Sequence, residues 1–340
     1  KADLNVLNFI TRDSISQFSG IVTMKMKGTT IDDAYGNISF KNTLYKNQNS
    51  DYYFDDFAIT SRFENDIRYI SVNSPDIIEG SLKGKFKFNE VQRMLENSLG
   101  NIYTNYKAHD ISEGQFIDFN FKIYSRIAEV FYSDLKLASN TFIRGRVESD
   151  AKKFNLLFKS PQIKLKEQFA NSIQLRLDNK NPLFNTFVEI DSLNTDYYDV
   201  ADFNLINVTL KDTLFIKTNF RGGKANRDKF DLNLFYTINE DNKSVLGFKR
   251  SRINFKDNDW FVNSNKDSFN KIEFNRDFSD ININKIRMNH LNEVMELSGI
   301  IKEDNYKDIN LDFNNVDLVK ITPEIDSLSL GGSVNGNLKI

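Results

Sequence analysis

Hydrophobic residues fall on alternate positions through most of this 340-residue chain. In SIQLRLDN the apolar set is Ile173, Leu175 and Leu177. In DKFDLNLFYTI it is Phe230, Leu232, Leu234, Tyr236 and Ile238. FIDFNFKIY repeats the pattern with Phe119, Phe121 and Ile123, SDININKIRM with Ile281 and Ile283, and DINLDFNN with Ile309, Leu311 and Phe313. Successive side chains of a strand point to opposite faces. These runs therefore predict half-buried antiparallel strands, with one apolar face and one wet face of Lys, Asp, Asn and Arg. Clusters of Asn, Asp, Gly or Lys bound each run and supply the turns. No exact repeat and no linker divides the chain, so a single elongated sheet over residues 1–340 is the expected organisation. Pro75, Pro161, Pro182 and Pro323 fall near run ends, where a missing N–H does little harm.

The period changes once. Over residues 89–106, NEVQRMLENSLGNIYTNY, the apolar residues Val91, Met94, Leu95, Leu99, Ile102 and Tyr103 follow helical spacing. Asn89 is the expected N-cap, with Gln92 three residues on in capping-box spacing. Gly100 weakens the helix by about 1 kcal/mol relative to alanine. Such a stripe packs on a sheet face, covers an apolar groove or leans on a membrane. Ser160–Phe169 fits a short helix or, through Ile163 and Leu165, a strand.

Composition narrows the function. The net charge is −2, with no basic stripe of the kind that nucleic acid requires. There is no cysteine, which removes disulfides, thiolate metal sites and cysteine nucleophiles. No apolar run reaches the length of a membrane-spanning helix, and no signal peptide is evident. The chain begins Lys-Ala-Asp and stops at Asn-Leu-Lys-Ile inside an alternating pattern, so a segment of a longer protein is expected.

Catalytic chemistry is sparse. His109 and His290 have no neighbours at metal-ligand spacing, so no metal site and no cofactor is expected. No nucleophile elbow or phosphate loop occurs. Asp55-Asp56 and Glu240-Asp241 are carboxylate pairs of the type glycosidases use, but they sit in polar turns and read as solvated. What is abundant is apolar surface: thirty phenylalanines alternate with charge. Such a face closes into a packed core, faces lipid from a transmembrane barrel, or lines an open groove for apolar guests.

The run NSPDIIEGSLKGKF and the amphipathic helix NEVQRMLENSLGNIYTNY after it resemble the TamB branch of the AsmA-like envelope proteins, in its Bacteroidetes-type version. So do the block from SRINFKDNDWFVNSN through KIEFNRDFSDININKIRMNHLNEVMELSGIIKEDNYKDINLDFNNVDL and the closing LSLGGSVNGNLKI. The resemblance implies an all-β fold: an elongated, twisted, open, taco-like antiparallel sheet with a hydrophobic groove and a short amphipathic helix. It implies a non-enzymatic periplasmic bridge that conducts phospholipid between inner and outer membranes or assists outer-membrane protein assembly. Its partners are then phospholipid, an Omp85-family barrel such as TamA, and the inner membrane through an anchor outside this segment. The family's anchor and its barrel-contacting region are missing from these residues.

On that reading the groove is lined by Ile173, Leu175, Leu177, Phe230, Leu232, Leu234, Tyr236, Ile281, Ile283, Leu311 and Phe313. The helix contributes Val91, Met94, Leu95, Leu99 and Ile102. The competing readings are a structural or adhesive β-solenoid with a closed core, a β-helical glycan-active enzyme and, more awkwardly given the helix, a transmembrane barrel. Alternation gives the same inward residues to an open groove and to a closed core.

Overall fold

The computed structural model describes residues 2–3, 13–100, 102, 107–150, 153–196, 198–303, 306–322 and 330–340. Strands make up 63% of the structure and helices 8%, against a usual strand content of about 20–25%. The fold is mostly antiparallel β, as the alternation predicts. Contacts divide the chain into two compact units. The first comprises Lys1–Asn101, Lys107–Asn181 and Leu193–Thr195; the second comprises Ile102–Tyr106, Pro182–Ser192 and Asp196–Ile340.

The first unit holds β1 (Ala2–Asp3), β2 (Ser16–Lys27), β3 (Tyr35–Asn47), β4 (Asp51–Phe54), β5 (Phe57–Glu64), β6 (Ile67–Ser74) and β7 (Ile78–Lys85). Helix α1 (Phe88–Gly100) follows, then β8 (Phe116–Ile123), α2 (Ser125–Phe131), β9 (Leu135–Leu137), β10 (Phe142–Glu148), β11 (Lys153–Leu165) and β12 (Gln168–Asp178). Each long strand pairs antiparallel with the next, in the order β2, β3, β5, β6, β7, β8, β10, β11, β12. The short strands β1, β4 and β9 pair with β2, β3 and β11. Strand β13 (Thr186–Asn194) follows in sequence.

The second unit holds β14 (Val200–Leu210), β15 (Thr213–Gly222), β16 (Asp228–Ile238), β17 (Ser244–Phe248), β18 (Ser251–Phe255), β19 (Asn258–Val262) and β20 (Lys271–Phe274). It ends with β21 (Asp280–His290), β22 (Glu293–Lys302), β23 (Lys307–Asp317), α3 (Leu318–Ile321) and β24 (Ser333–Lys339). Two short strand pairs, β17–β20 and β18–β19, run side by side between the long strands β16 and β21. From β21 the meander continues through β22 and β23 to β24.

Turn chemistry explains the hairpins. Asn65-Asp66, Lys211-Asp212 and Lys256-Asp257 each place two consecutive residues at positive φ. That is the type I′ geometry whose twist matches the flanking strands, and Asn and Asp tolerate it best. Ser160–Phe169, ambiguous in sequence, is the β11–β12 hairpin. Pro161 is not at a strand end but inside β11. It is tolerated because β11 changes neighbours there, from β10 (through Lys159) to β9 (from Ile163). Pro323 lies outside the described residues.

Helix α1 departs from its expected cap. Phe88 is its first residue, so Asn89 is already helical and is not the cap. The Phe88 amide donates to the Asp32 carboxylate at 2.8 Å, from the β2–β3 loop. Gln92 closes no capping box; its amide donates to Glu96 one turn on. The helix ends at Gly100, Ile102 lies in a turn, and residues 101 and 103–106 of the expected helix, Tyr103 among them, lie outside the described residues.

Candidate functional site

Cross-strand register decides which side chains share a face, because directly paired residues project the same way. In the first unit one row runs Leu82–Phe119–Gly145–Leu156–Leu177. The next runs Ile117–Val147–Phe154, and a third runs Phe121–Ile143–Phe158–Leu175. Val91, Leu95 and Leu99 of α1 lie over these rows. Between helix and sheet is a cavity of about 500 Å³. Thirteen side chains line it, and all are aliphatic or phenylalanine.

The volume falls within the roughly 300–1,000 Å³ range of small-molecule sites. Engineered apolar cavities of about 150 Å³ already take up benzene. Hydrocarbon is the chemistry this lining matches, because its side chains offer a polar group nothing to bond.

Polar contacts at one end and along one side fix the helix over this space. The Glu90 carboxylate accepts from the Ser112 amide (2.7 Å), the Ser112 hydroxyl (3.0 Å) and the Gln115 side chain (2.8 Å). The Ser112 amide is the main cause holding the Glu90 carboxyl down at about 2. Gln115 also accepts from the Lys87 amide at 2.8 Å. The Asn97 side chain is buried and bonds both the amide and the carbonyl of His109. Met94 is fully buried beside it.

The sequence-derived groove set is distributed as follows. Leu175 and Leu177 line the cavity, while Ile173, opposite Ser160, is half-buried outside it. Of the helix set, Val91, Leu95 and Leu99 line it, Met94 packs beside it, and Ile102 is buried in the turn of the second unit, its carbonyl accepting from the Thr209 hydroxyl.

The rest of the set lies on one face of the second unit, in separate rows. Tyr236 belongs to the row Leu214–Tyr236–Leu246–Ile272–Ile283. Leu234 sits between Ile216 and Phe248, Leu232 beside Thr218, and Ile281 between Phe274 and Ile301. Phe230 stacks on Phe220 at 4.4 Å and leads through Ile253 to Trp260. Phe313 continues Val262–Met288–Met295, and Leu311 pairs with Leu297. Every one of these predicted residues is half-buried. Among the described residues Phe154 is the only phenylalanine in the buried core.

The opposite face of the second unit is less wet than expected. Phe215 and Phe235 pair on it, the Phe235 ring lies across Gly247, and the Lys249 ammonium sits 4.0 Å above the Phe215 ring. The His290 Nδ1 lies 2.7 Å from the Asp259 carbonyl, and its ring is 5.3 Å from Trp260. His109 Nε2 lies 3.0 Å from the Glu96 carboxylate.

Sequence reasoning missed most of the cavity floor. Phe154, Leu156 and Phe158 alternate as cleanly as any run, but the apolar Leu157 between them hides the period. Ile143 and Val147 are separated by the inward Gly145, which leaves a gap in the pattern. Searches against protein-family models, curated proteins and solved structures find no match.

Proposed function

We propose that this chain is a lipid-carrying segment of a periplasmic envelope bridge, in which the apolar sheet faces and the cavity beneath α1 hold acyl chains. The observation that carries the reading is the wholly apolar 500 Å³ cavity between α1 and the sheet. The half-buried rows of the second unit support it. An acyl chain of about 16 carbons costs on the order of 12 kcal/mol to expose to water, at about 0.8 kcal/mol per CH₂. A series of shallow apolar rows offsets that cost without the deep well that would trap the chain. No covalent step is required, which suits a face whose inward residues are mostly Leu, Ile, Val, Met and Phe. The resemblance noted in the sequence supplies the setting: the periplasm, with phospholipid as cargo and an Omp85-family barrel as the outer-membrane partner.

The test is mass spectrometry of the protein purified in mild detergent from a bacterial envelope. Phospholipid should copurify with the wild type. Leu156→Trp, which puts an indole into the cavity, should lower the lipid bound while leaving the fold intact by circular dichroism. A wild type that carries no lipid, in a chain that is folded, would leave the closed-core structural reading.

A further inference from the structure

We propose that the first unit binds one anionic amphiphile, with its hydrocarbon chain in the cavity beneath α1 and its carboxylate or phosphate at Arg68. This rests on the lipid reading above and names the class of lipid.

Arg68 lies on β6 in the row Phe63–Arg68–Gly84–Ile117–Val147–Phe154, which crosses six paired strands. The last three members line the cavity. Neighbouring strands lie about 4.8 Å apart, so the Arg68 backbone stands about 10 Å from that of Ile117 on the same face. Between them is Gly84, which puts no side chain in the way.

The guanidinium is buried, with the residue 3% exposed. Its Nη2 donates to the carbonyls of Ile31 (2.9 Å) and Ala34 (2.6 Å). Its Nε and Nη1 are buried without a partner. Buried donors left unbonded are costly, and charged ones most of all. The Asp32 and Asp33 carboxylates favour the charged guanidinium through space, but their hydrogen bonds go elsewhere. Asp32 accepts from the Phe88 amide, and Asp33 accepts from the amides and hydroxyls of Thr29 and Thr30. The rings of Phe63 and Phe88 lie 4.8 and 4.9 Å from the guanidinium carbon. Phe88 is the first residue of α1, so one helix covers both the cation and the cavity.

An arginine on the inward face of an otherwise apolar row, with two free donors, fits the head of a molecule whose tail fits the cavity. Guanidinium bonds to carboxylate and phosphate are charge-assisted and strong in low dielectric, so such a head would satisfy the spare donors. A neutral head would offer only uncharged acceptors, whose bonds are weaker.

Calorimetric titration of the full chain with palmitate, hexadecyl phosphate, hexadecanol and inorganic phosphate tests this. Palmitate and hexadecyl phosphate should bind at least about tenfold more tightly than hexadecanol, the margin expected for one charge-assisted contact. Arg68→Met should bring both down to the alcohol's affinity and leave the alcohol unchanged. Leu156→Trp should weaken all three. Equal affinity of palmitate and hexadecanol for the wild type would overturn the assignment to Arg68 while leaving the lipid reading standing. So would a preference that survives Arg68→Met. Binding of inorganic phosphate alone, with no contribution from the chain, would overturn the amphiphile. Failure of all three hexadecyl ligands would remove the lipid reading itself. If Arg68→Met does not fold, the wild-type comparison of charged with neutral ligands decides alone.

Discussion

The phenyl ring of Phe119 on β8 lies across Gly145, its partner on β10. A β-carbon at Gly145 would stand 2.8 Å from Cζ of that ring and 2.4 Å from the Asn155 carbonyl oxygen. The cavity floor is flat at this point because glycine lets an aromatic ring fold down onto the sheet. Gly145→Ala should therefore destabilise the first unit by about 1–3 kcal/mol, the usual cost of overpacking. Thermal unfolding checks it. Phe119→Leu in the same chain should recover only the part due to the ring, since the carbonyl contact remains. A neutral Gly145→Ala would mean that the strands part easily there.

The Glu90 cluster makes a pH prediction. Its carboxyl ordinarily titrates near 4.5 and is held at about 2 in the folded chain. A carboxyl depressed on folding contributes stability that is present in full above its unfolded pKa and is lost as pH falls through the folded one. Hydrogen exchange at the Ser112 amide, which donates to Glu90, should accelerate relative to its intrinsic rate as pH is taken from 4.5 to 2. Glu90→Gln should flatten that dependence. Identical pH profiles for the two chains would assign the cluster no role in holding α1.

In the second unit Glu293 on β22 is buried and ion-paired with Lys320 of α3. Burial alone would push the Glu293 carboxyl up. The Lys320 ammonium and the Asp317 amide outweigh it, and the carboxyl stays below its ordinary value. Lys320→Met should cost about 1–3 kcal/mol at neutral pH. That is less than the 3–5 kcal/mol of a fully buried pair, because Lys320 remains partly in solvent. The loss should shrink in acid, where Glu293 is protonated with or without its partner. Adding Glu293→Gln should restore part of the stability, as measured by denaturant unfolding. A loss independent of pH would trace the effect to packing of the lysine stem.

These relationships differ in how visible they are in the sequence. The strand runs are legible because alternation is a local property: Phe230, Leu232, Leu234 and Tyr236 need only their own chain to define a face. The helix is legible for the same reason, through Val91, Leu95 and Leu99. Its start is not, because the group that caps Phe88 is Asp32, 56 residues earlier. The two outward phenylalanines Phe215 and Phe235 also escape a binary pattern, since they are accommodated by Gly247 on β17 and by Lys249 just after it. Arg68 is invisible as a site. In sequence it is one charged residue near the start of a strand run, and only the register through Gly84 puts it in line with the cavity.

Exposure separates two kinds of apolar position in the second unit. Trp260 is 1% exposed, and Trp260→Ala should cost about 3–5 kcal/mol. Leu234 is half-buried, and if its face is a lipid groove Leu234→Arg should cost about 1 kcal/mol or less in stability. It should nonetheless cut lipid passage sharply, because a charge among acyl chains is desolvated and each 1.4 kcal/mol of barrier slows passage about tenfold. Phe313→Asp should behave as Leu234→Arg does. Equal destabilisation by Leu234→Arg and Trp260→Ala in denaturant unfolding would show that the face is packed shut.

Leu232 and Asp231 are adjacent in sequence and point to opposite faces, Leu232 half-buried and Asp231 exposed. A photoreactive phenylalanine analogue at each position, irradiated in intact cell envelopes and analysed for attached phospholipid, tests the central claim most directly. Capture at Leu232 and not at Asp231 is the predicted result. Equal capture at both positions, or none at Leu232 in a folded and abundant chain, would contradict it.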